Sequence, residues 1–184
     1  LNKDADKFVI SYFTDTETLA VYSNASKYLP FDIIMTSFCT VLLPWVTKAI
    51  SQKNYSELQG AYKSFLELSY TATAILAVAA ICVAPELMRF LYTEKYLVSS
   101  FGLAVFIIYI IVDILSFLNI VFVLSAAGKT KTIMYVSIGA FVLNIVLNVL
   151  SFFVLKEIGP AVATLIVTLV QGILLISLTA KEIK

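Results

Sequence analysis

The chain has 184 residues, 60% of them hydrophobic and 14% charged, with two cysteines, no histidine and a net charge of +1. Its mean hydropathy is +0.95. Soluble domains carry roughly 45–50% apolar and about 25% charged residues. A soluble fold of this size has too much surface to hide so much grease. The net charge of +1 says nothing for nucleic acid, and the missing histidine removes the commonest general base and metal ligand.

In chain order, the sequence opens at Leu1 with the polar stretch LNKDADK, followed by a short apolar piece from Phe8 to Phe13. That piece is too short to cross a bilayer, which takes about 20 helical residues. No signal-peptide pattern precedes it, and we expect a spanning element upstream to be cut short. Five stretches are long enough to span. The first, Leu19–Val46, holds Lys27, Pro30 and Asp32. The second, Tyr62–Ala84, has an uncharged core from Leu68 to Val83. The third, Leu97–Leu124, is interrupted only by Asp113. The fourth, Thr132–Leu155, and the fifth, Ile158–Ala180, carry no charge. The runs are too long and lack the alternation of a membrane barrel, and helices satisfy their own backbone in lipid. The predicted fold is all-α, a polytopic transmembrane helix bundle with about five full spans plus the end of a sixth.

The connections are polar. Lys48–Gly60 reads as a short surface helix, and Pro85–Ser100 as an amphipathic segment. Ala127–Lys131 reads as a tight basic turn and Lys156–Pro160 as another short turn. Pro160 suits a first helical turn, where a missing N–H is harmless. Gly159, Ala161 and Ala163 offer a small-residue face for close packing. Cys39 and Cys82 fall in apolar runs and read as core residues. Tyr12, Phe13, Tyr22 and Trp45 fit interfacial belts. With five spans, seven basic residues fall on one side and six on the other, so the positive-inside rule leaves orientation nearly balanced. The Lys129/Lys131 side is read as cytoplasmic.

Polar groups at membrane depth are the functional clues. A carboxylate at mid-bilayer costs about 2.5–3.5 kcal/mol on insertion scales. Asp113 is therefore either part of an ion or substrate pathway or a buried hydrogen-bond partner of Asn119 or Asn144. Asp32 lies about two turns inside its span, and Lys27 can snorkel to water. Asn144 and Asn148 are four apart and share a face. Gln171 is near the middle of the last span. These amides either glue helices together or, with Asp113, form a polar layer at the midplane, where transporters place their sites. No catalytic signature, metal set or cofactor cradle is present in the sequence, so an enzyme is not expected.

The order of several motifs resembles a known family. Asp6-Lys7-Phe8-Val9-Ile10-Ser11-Tyr12-Phe13, then Leu19-Ala20-Val21-Tyr22-Ser23-Asn24-Ala25, is similar to the opening motif of bacterial polysaccharide flippases. These belong to the multidrug, oligosaccharidyl-lipid and polysaccharide exporter superfamily. Leu43–Lys48, Pro85–Tyr92 with Tyr96, Ala126–Lys131, and Asn144, Asn148 with Ile158–Thr164 resemble later motifs of the same family. Ala20 stands where glycine is common, and Gly159-Pro160 replaces the usual Gly-Ala. The resemblance implies that 1–184 is a single transmembrane bundle. It would be the C-terminal six-helix half of a longer two-bundle transporter, its first helix truncated.

The activity implied is flipping of an undecaprenyl-diphosphate-linked oligosaccharide across the bacterial inner membrane by alternating access. The implied partners are the bilayer, the lipid-linked glycan, the N-terminal half of the same chain and a polysaccharide polymerase. Lys7 and Lys27 would attract the diphosphate, and Asp113 or Asp32 would couple the cycle to protons or sodium. The alternatives are a drug/cation antiporter of the same fold, a membrane-embedded polymerase or acyltransferase, and a structural subunit.

Overall fold

The computed structural model describes residues 4–27, 31–91, 100–116 and 121–182, the side chains of 31–39, 91 and 100 excepted. The described residues are helical with short breaks, and contain no strand. In order the helices are α1 (Ala5–Phe13), α2 (Thr16–Ala25), α3 (Phe31–Ser51), α4 (Tyr55–Cys82) and α5 (Ala84–Leu91). There follow α6 (Ser100–Ser116), α7 (Phe122–Ala126), α8 (Thr130–Leu155) and α9 (Gly159–Glu182).

Local chemistry sets the breaks. After α1, Thr14 turns extended, and the Asp15 carboxylate caps α2 by accepting from the Thr18 N–H at 2.7 Å. That bond satisfies one of the four donors a helix start leaves open. It also holds the Asp15 carboxyl below the ordinary carboxylate range. Gly128, at φ +72°, ends α7 in the left-handed region that glycine adopts most readily. Lys129 N–H then donates back to the Leu124 carbonyl at 2.9 Å.

Three sequence expectations are corrected. The stretch Leu19–Val46 is not one helix: α2 ends at Ala25 and α3 begins at Phe31, leaving Lys27 between them. Helix α2 closes on Ser26 N–H, which returns to the Tyr22 carbonyl at 2.8 Å, and on Lys27 N–H, which returns to Asn24; Pro30 lies outside the described residues. Likewise Leu97–Leu124 arrives as α6 and α7, and residues 92–99 and 117–120, Leu97 and Asn119 among them, lie outside the described residues. Lys48–Gly60 is not a surface helix. Its first residues finish α3, Gln52–Asn54 make the turn, and Asn54 N–H returns to the Ala49 carbonyl at 3.0 Å. Lys48 in the last turn of α3 and Glu57 in the first turn of α4 match the helix dipoles on either side.

Among the described residues, Tyr55–Cys82 and the run Thr130–Glu182 are long and apolar enough to cross a membrane, and Phe101–Ser116 is a shorter apolar helix. At about 1.5 Å per residue, the 28 residues of α4 and 26 of α8 exceed the roughly 30 Å of hydrocarbon in a bilayer. Both helices turn apolar faces outward, including Leu68 and Ile75 on α4 and Tyr135 and Phe153 on α8.

Two cores hold the bundle. The larger joins Ile10 of α1, Tyr22 and Ala25 of α2, Ala77 and Ala80 of α4, Met88 of α5, Phe106 and Tyr109 of α6 and Ala161 of α9. The smaller joins Val46 and Ala49 of α3, Leu58 and Phe65 of α4, and Phe122 of α7. Tyr22 is thus fully buried, not part of an interfacial belt, whereas Tyr12 is 83% exposed.

The tightest pairing is α8 with α9. Between them Lys156 takes φ +51° and Lys156–Ile158 form one 3₁₀ turn. A Cβ on Gly159 would collide with the Ser151 carbonyl, so this approach requires glycine. Ala161 and Ala163 are buried beside it. The expected small-residue face is therefore in place, and it is what lets helices meet closely in lipid. At the opposite end of the hairpin, Lys129 and Glu182 pair at 3.2 Å.

Candidate functional site

The most buried charge-bearing group in the described structure is one that sequence reasoning passes over. Asp6 is 1% exposed, on the inward face of α1 with Val9 and Ile10. Tyr22, from α2, donates its hydroxyl to Asp6 Oδ2 at 2.8 Å. Tyr109, from α6, donates to the same oxygen. The two phenol rings meet edge to face, 6.4 Å apart at 88°. Asp6 Oδ1 is buried and has no hydrogen-bond partner among the described residues. Burial opposes a charge here, while the two phenol donors support it. Four residues after Tyr109, on the same face of α6, lies Asp113, itself 3% exposed.

A second polar cluster sits inside the α8–α9 hairpin. Asn148 Nδ2 donates to Asn144 Oδ1 at 2.9 Å, and Asn144 Nδ2 approaches Thr164 Oγ1 at 3.4 Å, long for such a bond. Both asparagines are buried, and Asn148 Oδ1 has no partner among the described residues. Ala161, one turn before Thr164, belongs to the core that contains Tyr22 and Tyr109. Helix α1 packs on both α8 and α9. An apolar groove of about 450 Å³ runs between α1 and α8, lined by Phe8, Tyr12, Phe13, Phe141 and Ile145.

The sequence-predicted residues fall out as follows. Asn144 and Asn148 are brought together, and Asp113 is buried. Gln171 is half-buried, two turns past Thr164 on α9. Lys7 pairs with Asp4 at 2.8 Å, and Lys27 donates to Asn24 Oδ1 at 2.9 Å. The side chain of Asp32 lies outside the described residues. Sequence reasoning misses Asp6, Tyr22 and Tyr109 as a unit. The available signal is Asp6 itself, at i−3 and i−4 from Val9 and Ile10, in the apolar stripe where a surface acid does not belong.

Long apolar helices, packed with shorter ones that bury Asp6 and Asp113, fit a transport protein better than a simple anchor. They define a helical membrane transport protein. Comparison with known families gives the particular one: the chain belongs to the MatE family, whose model matches residues 4–150. Members are membrane exporters of the multidrug, oligosaccharidyl-lipid and polysaccharide superfamily, not enzymes. The matched part contains Asp6, Tyr22, Tyr109, Asp113 and both asparagines, and ends before α9. No curated protein and no solved structure matches the chain.

Proposed function

We propose that this chain is part of a flippase for undecaprenyl-diphosphate-linked oligosaccharide in the bacterial inner membrane. The observation that carries the reading is the burial of polar groups on the MatE-matched helices, Asp6 and Asp113 in one place and Asn144 with Asn148 in another. A glycan head group cannot cross hydrocarbon unaided, since each unpaired polar group costs several kcal/mol there. Alternating access solves this: two bundles rock, the head group passes through a wet cavity, and the lipid tail stays in the bilayer. The order of motifs from Asp6 to Thr164 supports a polysaccharide substrate over others of the superfamily. In this reading Lys7 and Lys27 attract the diphosphate as point charges, and Asp113 and Asp32 serve the ion pathway. Asn144, Asn148 and Gln171 keep the α8–α9 side of that pathway polar. A second helical bundle, contributed by the N-terminal half of the same transporter, faces this one, and a polysaccharide polymerase takes the product.

The second reading is a drug/cation antiporter, and the two buried acids, Asp6 and Asp113, favour it. One experiment separates them. Expressed in a strain lacking its own flippase, the gene is expected to restore surface polysaccharide, with rescue reduced in Asp113→Asn and Lys27→Ala. Normal rescue by both variants rejects those site assignments. Drug resistance without polysaccharide rescue selects the antiporter.

A further inference from the structure

The exposed charges are sorted along the bundle. Two turns and a helix end meet at one extremity. The α3–α4 turn joins α7 through the core of Val46, Leu58 and Phe122. The α7–α8 turn joins the last turn of α9 through the Lys129–Glu182 pair. This end exposes Lys48, Lys53, Lys63, Lys129, Lys131 and Lys181. Against them stand Glu57, Glu67 and Glu182, and each is engaged: Glu57 by Asn54, Glu67 by Lys63, Glu182 by Lys129. Lys131 and Lys181 have no ion-pair partner among the described residues.

The far end differs. There Phe13, before the α1–α2 turn, stacks on Phe152, before the α8–α9 turn, at 5.0 Å. Asp15 and Glu17, Glu86 of α5 and Glu157 outnumber Arg89 and Lys156.

Below the lysines the surface passes from cation to hydrocarbon in order. Lys131, Tyr135, Ile138 and Val142 recur every three or four residues along α8, which places them on one face. All four are exposed. On α9, Lys181 is followed inward by Ser177, Leu174 and Val170, also exposed. The Lys129–Glu182 contact sets the start of α8 beside the end of α9, so the two stripes begin at one level. A lysine stem lies on apolar surface and keeps its ammonium among headgroups. A tyrosine puts its ring in hydrocarbon and its hydroxyl at the boundary.

We propose that the open end of the α8–α9 hairpin seats an anionic phospholipid. Lys131 and Lys181 take the headgroup phosphate, and the Tyr135–Ile138–Val142 stripe takes an acyl chain. The seat requires only that the chain lies in a membrane, and it holds for a flippase and an antiporter alike.

Glu182 is the competitor built into the seat. Its carboxylate holds Lys129 at 3.2 Å, with both side chains partly exposed. A pair so exposed is weakly held, whereas a phosphate flanked by Lys131 and Lys181 attracts Lys129 as well. Lys129 therefore faces Glu182 when the seat is empty and the headgroup when it is filled. Occupancy by lipid is thereby felt at the contact that closes this end of the hairpin.

The test is native mass spectrometry of the full-length protein in neutral detergent. It is titrated with phosphatidylglycerol, with phosphatidylcholine of the same chains, and with glycerol phosphate. Phosphatidylglycerol is expected to bind on the order of tenfold more tightly than phosphatidylcholine, and glycerol phosphate far more weakly than either lipid. Lys131→Gln and Lys181→Gln should each weaken phosphatidylglycerol about fivefold. Glu182→Gln should tighten it, a sign that no loss of folding produces. Lys156→Gln, at the acidic end, should leave it unchanged. Equal binding of the two lipids overturns the proposal, as does wild-type affinity in both Lys131→Gln and Lys181→Gln. An equal loss in Lys156→Gln would reveal diffuse charge with no seat, and overturns it too. Glycerol phosphate binding as tightly as the lipid would make this a site for a soluble anion and has the same consequence. Polysaccharide rescue is a separate readout, so the seat and the flippase reading fail independently.

Discussion

The two buried polar clusters make an instructive pair. The Asn144–Asn148–Thr164 group is neutral and local, built on neighbouring helices of one hairpin whose members lie 4 and 20 residues apart. The Asp6–Tyr22–Tyr109 group is ionisable and non-local, with partners 16 and 103 residues from the acid. In a low-dielectric interior a neutral amide needs only a hydrogen-bond partner, whereas an acid also changes state with its charge. The hairpin cluster is thus suited to holding two helices in place, and the three-helix cluster to letting them move.

The comparison can be strained at several points, the largest effect first. Gly159→Leu drives a side chain into the Ser151 carbonyl and should separate α8 from α9. It is expected to destabilise by about 3 kcal/mol or more, read as a fall in the thermal midpoint of the purified protein in detergent. A stable Gly159→Leu protein would mean that the hairpin is not packed as described.

Next come Tyr22→Phe and Tyr109→Phe. Each removes one donor from Asp6 at an expected loss of about 0.5–3 kcal/mol, the upper end applying when the acid is ionised. Because both bonds end on Oδ2, the double variant should depart from additivity by roughly 0.5–3 kcal/mol. Strict additivity would show that the two phenols do not share an oxygen. Asn148→Ala should cost less, about 0.6–2 kcal/mol. Its transport should fall only in proportion to the amount of folded protein. A transport defect beyond that would move the asparagine pair from holding to moving.

The smallest effect belongs to Asp15, which caps α2 outside both clusters. Its carboxyl is held below the ordinary range by the Thr18 N–H. A depressed folded value contributes stability that is complete above the unfolded value, about 3.9. That contribution is lost as pH falls through the folded value. Asp15→Ala should therefore lower the thermal midpoint slightly at neutral pH, and the difference from wild type should close in strong acid. A difference that persists there would assign Asp15 another role.

What the sequence can and cannot disclose follows the same division. Helices α4, α8 and α9 are readable because an unbroken apolar run longer than a bilayer is thick suits little besides a membrane span. The Gly159–Ala163 face is readable because small residues at helical spacing have one obvious use in lipid. The asparagine pair is readable because four residues make about one turn. Hydropathy does not register a break inside an apolar stretch, so it merges α2 with α3 and α6 with α7. The meeting of Asp6 with Tyr109 depends on how α1 lies against α6, and no local pattern encodes that angle. Tyr22 misleads for the same reason, since an aromatic near a span end is equally at home in a headgroup layer or a core.

The α8–α9 hairpin is fastened twice, by the glycine contact at its turn and by the Lys129–Glu182 pair at its open end. A two-legged strut pinned top and bottom resists splaying and transmits a push along its length. Salt, by screening the partly exposed ion pair, would then loosen the open end while leaving the glycine contact at the turn untouched.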